Sequence, residues 1–89
     1  MTETEIIDTV KAEWNSIDAQ LSKFKLKKRI SYMCYYLLRV KLELHIRYIA
    51  KAFGCTYPTV IYGTSVHRKL LKGNVEYRQV FESVSKRLL

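Results

Sequence analysis

Apolar side chains recur at helical spacing along most of this 89-residue chain. The first stripe consists of Ile6, Ile7, Val10 and Trp14. It follows a capping box at residues 2–5 and predicts a helix over about residues 3–14. The polar residues at positions 15 and 16 are expected to end this helix, and residues 17–21 to form a short turn. Residues 1–22 are therefore interpreted as an N-terminal helix and turn.

A second apolar stripe predicts a long helix over about residues 27–42, which we expect to be the central helix of the core. Its members are Ile30, Met33, Cys34, Leu37, Leu38 and Leu42. Just before it, residues 22–29 hold five cations in eight positions. We interpret residues 23–29 as a basic loop that leads into the central helix.

The segment from Ile46 to Val66 has the spacing of small, apolar and turn residues that two helices packed at a sharp angle require. We expect helices over about residues 45–53 and 57–72, joined by a turn in which Gly54 takes a positive φ. Pro58 suits the first turn of the second helix, where a missing N–H costs nothing. The residues expected at the buried contact are Ile49, Ala50, Phe53, Val60 and Gly63. Residues 45–72 are thus predicted to form a helix-turn-helix.

A last helix is predicted over about residues 75–88, with Gly73 ending the helix before it and Asn74 as its cap. Its apolar stripe consists of Tyr77, Val80, Phe81, Val84 and Leu88. Glycine and proline are too scarce for a linker or an all-β fold, and no internal repeat occurs. Residues 1–89 therefore read as one compact all-α domain of about five helices, of which residues 75–89 form the C-terminal element.

The charge is strongly positive and unevenly distributed. The chain has a net charge of +8, and its pI is near 9.7. Five of the eight acidic side chains lie in residues 1–18, so the segment with the helix-turn-helix is the basic one. A basic surface favours nucleic acid, an acidic protein face or an anionic membrane as partner. The basic segment lacks a broad apolar face and no apolar run approaches the ~20 residues that span a bilayer, so we expect no membrane partner and a cytoplasmic protein.

Motifs for catalysis or cofactor binding are not found in the sequence. There is no glycine-rich phosphate loop, and no nucleophile stands beside a base in a recognisable arrangement. The spacing of Cys34, His45, Cys55 and His67 fits no zinc module, and His67 falls on an apolar line that predicts a packed histidine. We expect reduced cysteines, no metal, no cofactor and no enzymatic activity.

Two runs in the helix-turn-helix carry a family resemblance: Ile49-Ala-Lys-Ala-Phe53-Gly54, then Thr59-Val60-Ile61-Tyr62-Gly63. With the preceding basic segment and long helix, they resemble the C-terminal DNA-binding domain of the bacterial replication initiator DnaA, a Trp-repressor-like helix-turn-helix. The resemblance covers roughly residues 3–89. It implies a double-stranded DNA partner, a nucleoid location and a role in replication or transcription control. In the resembling family the loop that matches residues 23–29 enters the minor groove.

This sequence departs from the resembling family in the residues that read DNA. Where the family usually has Arg-Asp-His-Thr-Thr-Val, this chain has Cys55-Thr-Tyr-Pro-Thr-Val60. Only Thr59 of the usual reader carries over, so we expect the family's usual sequence preference to be lost. The chain is also too short for the ATPase module of a full initiator. The resemblance therefore implies a stand-alone relative, of phage, mobile-element or accessory type.

The DNA hypothesis assigns roles to named residues. With the helix over residues 57–72 in the major groove, its first turns would face base edges. The base-facing candidates are Thr56, Tyr57, Thr59, Tyr62 and Ser65. The candidates for backbone contact are Lys23, Lys25, Lys27, Lys28, Arg29, Arg68 and Lys69. The first turns contain no Arg, Asn, Gln, Lys or Glu, the usual base readers, so we expect weak sequence selectivity.

Plainer alternatives stand beside these interpretations. The helix-turn-helix pattern also fits an αα-corner in a helical bundle. The basic segment also fits a solvated connector. Four tyrosines either stack on bases of a single strand or of RNA or, as we favour, lie on the amphipathic helix surface with their rings packed on neighbours and their hydroxyls in water. They are Tyr32, Tyr35, Tyr36 and Tyr48. The competing function is a protein-interaction module, an antagonist or partner of a replication or transcription protein, that uses the aromatic start of the second helix.

Overall fold

The computed structural model describes residues 1–17 and 20–89, within which five α-helices and no strand occur. The helices in chain order are α1 (Glu3–Ser16), α2 (Lys23–Lys41), α3 (Ile46–Phe53), α4 (Tyr57–Gly73) and α5 (Val75–Arg87). The predicted all-α class and helix number are confirmed. The first helix runs two residues beyond its predicted end. The turn predicted over residues 17–21 includes positions 18 and 19, which lie outside the described residues.

Side chains cap four of the five helix N-termini. The Thr2 hydroxyl accepts from the Glu5 N–H at 3.1 Å, and the Asn74 amide oxygen accepts from the Tyr77 N–H at 2.8 Å. Both caps were predicted from the sequence. Ser22 and His45 accept in the same way from backbone N–H groups of α2 and α3. Each of these residues stops the helix from extending further back, which fixes where the element begins.

The expectation of a basic loop over residues 23–29 is wrong, because these residues form the first two turns of α2. The Ser22 hydroxyl accepts from the Lys25 N–H at 3.2 Å and starts the helix there. Lysine, leucine and arginine all favour helix, and no glycine or proline interrupts the chain between Ser22 and Lys41. The cations therefore stand on a rigid helix and not on a flexible connector.

The core lies between α2 and the other helices. Helix α2 packs on α1, α3 and α4, and α5 closes the domain against α1 and α4. This arrangement confirms α2 as the central helix. The largest buried rings, Trp14 of α1 and Tyr77 of α5, meet at 5.6 Å between centroids. Because α2 has neighbours on three sides, its buried arc is wide and includes Tyr35, whose placement on the surface was predicted wrongly.

The predicted turn of the helix-turn-helix is present between α3 and α4. Gly54 has φ 67° and ψ 35°, the left-handed conformation. Its N–H donates to the Lys51 carbonyl at 3.2 Å, and the Cys55 N–H donates to the Ala50 carbonyl at 2.9 Å. These two bonds form a Schellman motif, which ends α3 and redirects the chain into α4. Ile49 of α3 is fully buried in the resulting corner.

We expect Gly54→Val to lower the free energy of unfolding by about 1–3 kcal/mol. A Cβ at this position would meet no atom within 4 Å, so the whole cost comes from the left-handed backbone. Gly54→Asn is the matched control, because asparagine tolerates this conformation. Urea denaturation followed by circular dichroism measures both variants. Equal stability of the valine and asparagine variants would contradict the assignment.

His67 of α4 is a fully buried histidine, as predicted. Its Nδ1 atom lies 2.6 Å from the Tyr77 hydroxyl, and its ring stacks on Tyr36 at 4.3 Å between centroids. Burial, with a smaller contribution from the charge of Arg68, lowers the pKa of the imidazole to about 4. The histidine is therefore neutral at pH 7 and acts as an aromatic core residue that joins α2, α4 and α5.

Acid should destabilise the fold through His67. Its pKa of about 4 in the folded protein lies below the value of 6.5 expected in the unfolded chain, so the unfolded chain takes up the proton first. Stability is complete above pH 6.5 and falls as the pH drops toward 4. We expect a loss of about 2 kcal/mol between pH 7 and pH 4.5 from this group.

His67→Phe isolates that contribution, because phenylalanine keeps the ring stack and cannot titrate. Urea melts of the parent and the variant across this pH range give the comparison. A parent and a variant that lose stability in parallel would show that His67 is not the group responsible.

Candidate nucleic-acid interface

One side of α4 is packed and the opposite side is exposed. Val60, Gly63 and His67 form the packed side. Tyr62, Ser65 and Lys69 follow one another at spacings of three and four along the exposed side. At 100° per residue these three side chains form a single outward ridge. No side chain of this ridge is needed for the core, so the ridge is available to a partner.

The five residues predicted to face bases are all exposed, but they do not share one face. Tyr57 lies toward α3, where the Arg47 guanidinium stands 4.9 Å from its ring centroid. Thr59 is about 200° further around the helix, so it lies on the opposite flank. Its hydroxyl is 3.2 Å from the Thr56 hydroxyl. Of the five, Thr59 and Tyr62 line a groove together with residues of α2.

The basic turns of α2, residues 23–29, present five cations over about 9 Å of helix axis. Lys23, Lys25, Lys27 and Lys28 are exposed, and Arg29 is half-buried. Their positions spread over about 240° around the axis, so they do not form a single stripe. Cations spread in this way can contact phosphates on two sides of the helix, whereas a single stripe of cations would face one flat surface.

Among the described residues, no carboxylate forms an ion pair with these cations. In residues 1–17 and 20–89 the one ion pair joins Arg87 to Glu13 at 3.2 Å, on α5 and α1. The first turn of α2 contains no acid, although the helix dipole favours negative charge there. A cation in the first turn, such as Lys23 or Lys25, costs about 0.3–1 kcal/mol. Local conflicts of this kind between charge and helix dipole are expected at functional or strained sites.

A groove of about 330 Å³ joins the basic turns of α2 to the start of α4, and we refer to it as the interhelical groove. It is lined by Phe24, Lys27, Lys28, Ser31, Tyr32, Tyr35, Thr59 and Tyr62. The groove thus brings together two of the predicted backbone contacts and two of the predicted base contacts. None of the described residues that line it is acidic. Arg68 and Lys69, further along α4, are exposed but do not line the groove.

Sequence reasoning missed Phe24 and Arg47 on this surface, and it considered Tyr32 only for stacking on a single strand. Phe24 is 68% exposed, and its ring lies 4.4 Å from the Lys28 ammonium. Tyr32 meets Tyr62 edge to face at 6.5 Å between centroids. Arg47 covers Tyr57. The sequence signal for Phe24 was an apolar residue between Lys23 and Lys25. Because residues 23–29 were expected to form a loop, the contact of Phe24 with Lys28, four residues later on the same helix, was not predicted.

In the part of the chain that the structure describes, no three His, Cys, Asp or Glu side chains gather as metal ligands, and no helix is long and apolar enough to cross a membrane. Cys34 is buried, which raises the pKa of its thiol to about 12. Comparison with protein-family models, curated proteins and solved structures found no match.

Proposed function

We propose that this chain binds double-stranded DNA, with α4 in the major groove and the basic turns of α2 on the phosphate backbone or in the adjacent minor groove. The observation that carries the proposal is the interhelical groove, where Lys27 and Lys28 stand beside Thr59 and Tyr62. Cations and hydrogen-bonding side chains on one continuous surface supply both backbone positioning and contact with base edges.

The shape of the surface suits a duplex. An α-helix with its side chains is about 10–12 Å wide and fits the major groove, which is about 12 Å wide. The outward ridge of Tyr62, Ser65 and Lys69 would lie in that groove. Helix α2 packs directly on α4, so its basic turns would reach the neighbouring strand. The resemblance to the DnaA DNA-binding domain supports the same placement.

Phosphate contacts would supply most of the affinity. With about six phosphates neutralised, the logarithm of the association constant should fall with the logarithm of salt concentration at a slope of about −5. Tyr57, Thr59, Tyr62 and Ser65 carry hydroxyls that can contact bases, but none makes the bidentate contacts of arginine or asparagine. We infer weakly selective binding in replication or transcription control, at the nucleoid.

Fluorescence anisotropy of a labelled random duplex of about 20 base pairs, titrated with protein at several salt concentrations, tests the proposal. The expected result is micromolar or tighter binding that weakens steeply as salt rises. The same titration with an acidic peptide of equal charge serves as the control for nonspecific attraction. Absence of duplex binding at low salt would reject the proposal.

A protein-interaction module is the second candidate function. Tyr57, Ile61 and Tyr62 are 43%, 51% and 63% exposed on consecutive turns of α4. Tyrosine is enriched in protein interfaces, and Ile61 adds apolar surface beside the two tyrosines. Binding to a protein through them would be lost in Tyr57→Ala or Tyr62→Ala and would change little with salt. DNA binding would depend on the α2 cations and on salt, so the two functions are separable.

A further inference from the structure

We infer that the interhelical groove holds one unpaired nucleobase of the bound DNA, between Phe24 on one side and Tyr62 on the other. The inference rests on the proposed function, because the lysines of α2 would bring the strand to the groove. It goes further, because it assigns a role to Phe24 and makes an extrahelical base the ligand.

The walls of the groove are aromatic and open to solvent. Phe24 is 68% exposed and Tyr62 is 63% exposed, although neither is needed to fill the core. Tyr32 contacts Tyr62 edge to face, with 6.5 Å between the ring centroids. Two exposed rings that line one groove place aromatic surface within reach of a planar ligand.

The polar groups of the groove suit a nucleotide more than another planar ligand. The Lys28 ammonium lies 4.4 Å from the Phe24 ring centroid, so the groove has a positive charge next to an aromatic side chain. Lys27 adds a second cation, and Ser31 and Thr59 add hydroxyls. A flat ring with polar edges that is attached to a phosphate matches all of these groups.

Base pairing decides which nucleotides can enter. In an intact duplex the faces of each base are covered by stacking, and only the edges are open in the grooves. Aromatic walls can therefore act only on a base that has left the stack. The volume of about 330 Å³ is at the lower end of the range for small-molecule sites, so it accommodates one base and not a run of several.

Three DNA probes of the same sequence test the inference: an intact duplex, the duplex with one unpaired adenine, and the duplex with one abasic bulge. Anisotropy gives the affinity for each probe at one salt concentration. We expect the unpaired adenine to bind about tenfold more tightly than the abasic bulge, the gain typical of base stacking on aromatic side chains. Phe24→Ala should reduce this ratio to about two or less, and Tyr48→Ala, another exposed aromatic, should leave it unchanged.

The probes separate this inference from the proposed function. Equal affinity for the adenine and abasic bulges, with the intact duplex still bound, would overturn the inference and leave duplex binding intact. Absence of binding to all three probes would overturn both. Replacing the adenine with 2-aminopurine adds a direct readout, since stacking between Phe24 and Tyr62 should change its fluorescence in the parent protein and not in Phe24→Ala.

Discussion

Charge reversal in the basic turns of α2 should abolish duplex binding without unfolding the protein. In Lys27→Glu/Lys28→Glu/Arg29→Glu, three cations of the basic turns become anions, and two of them, Lys27 and Lys28, line the interhelical groove. Loss of three phosphate contacts alone reduces the salt slope from about −5 to about −3, and repulsion weakens binding further. We expect affinity to fall at least about 100-fold in about 0.1 M salt.

The same variant should stay folded, because Lys27 and Lys28 are exposed and glutamate favours helix about as well as lysine and arginine do. Its urea midpoint should therefore lie close to that of the parent. The matched control is Lys41→Glu/Arg78→Glu/Lys86→Glu, which changes the net charge equally at positions outside the groove. If both triple variants lose affinity to the same extent, binding depends on net charge and not on this surface.

Gly63→Leu should produce the largest loss of stability among the glycine variants. A Cβ at Gly63 would stand 2.6 Å from Cδ2 of Tyr35 and 2.9 Å from Cδ1 of Tyr32. Tyr35 is buried, so its ring cannot turn away without displacing its neighbours. Overpacking of this severity costs about 3 kcal/mol or more. The change should also move α4 away from α2 and widen the groove.

Gly73→Leu is the matched control, because a Cβ at this exposed position in the last turn of α4 meets no atom within 4 Å. We expect its free energy of unfolding to stay within about 1 kcal/mol of the parent, on the stabilising side, since leucine favours helix more than glycine does. Thermal and urea melts followed by circular dichroism measure both variants. Similar stabilities for the two variants would show that α4 does not approach α2 closely at Gly63.

Helix positions were predictable because each helix has a strong local signal. The helical period of the apolar residues predicted α1, α4 and α5. The turn was predicted at Gly54 because glycine adopts the positive φ that such a turn needs. The start of α2 was missed because the density of cations was taken as evidence for a loop. Lysine and arginine are good helix formers, and the Ser22 cap was the local signal that should have outweighed charge.

The composition of the candidate surface was predictable, but its geometry was not. Exposure of Tyr62 and of the α2 lysines follows from helical periodicity. That Lys27, Lys28, Thr59 and Tyr62 share one groove depends on how closely α2 and α4 approach, which is set by long-range packing at Gly63. The burial of Tyr35 has the same origin, because contacts from α4 widen the buried arc of α2 beyond its apolar stripe.

The packed and the exposed sides of α4 consist of different residues, and this separation affects how the sequence can evolve. The side chains that hold α4 in place, among them Val60 and His67, belong to the core, whereas Tyr62, Ser65 and Lys69 take no part in it. Mutation of the outward positions can alter the surface that the helix presents at little cost to folding. Selection can therefore redirect such a helix toward a new target while the scaffold beneath it is inherited unchanged.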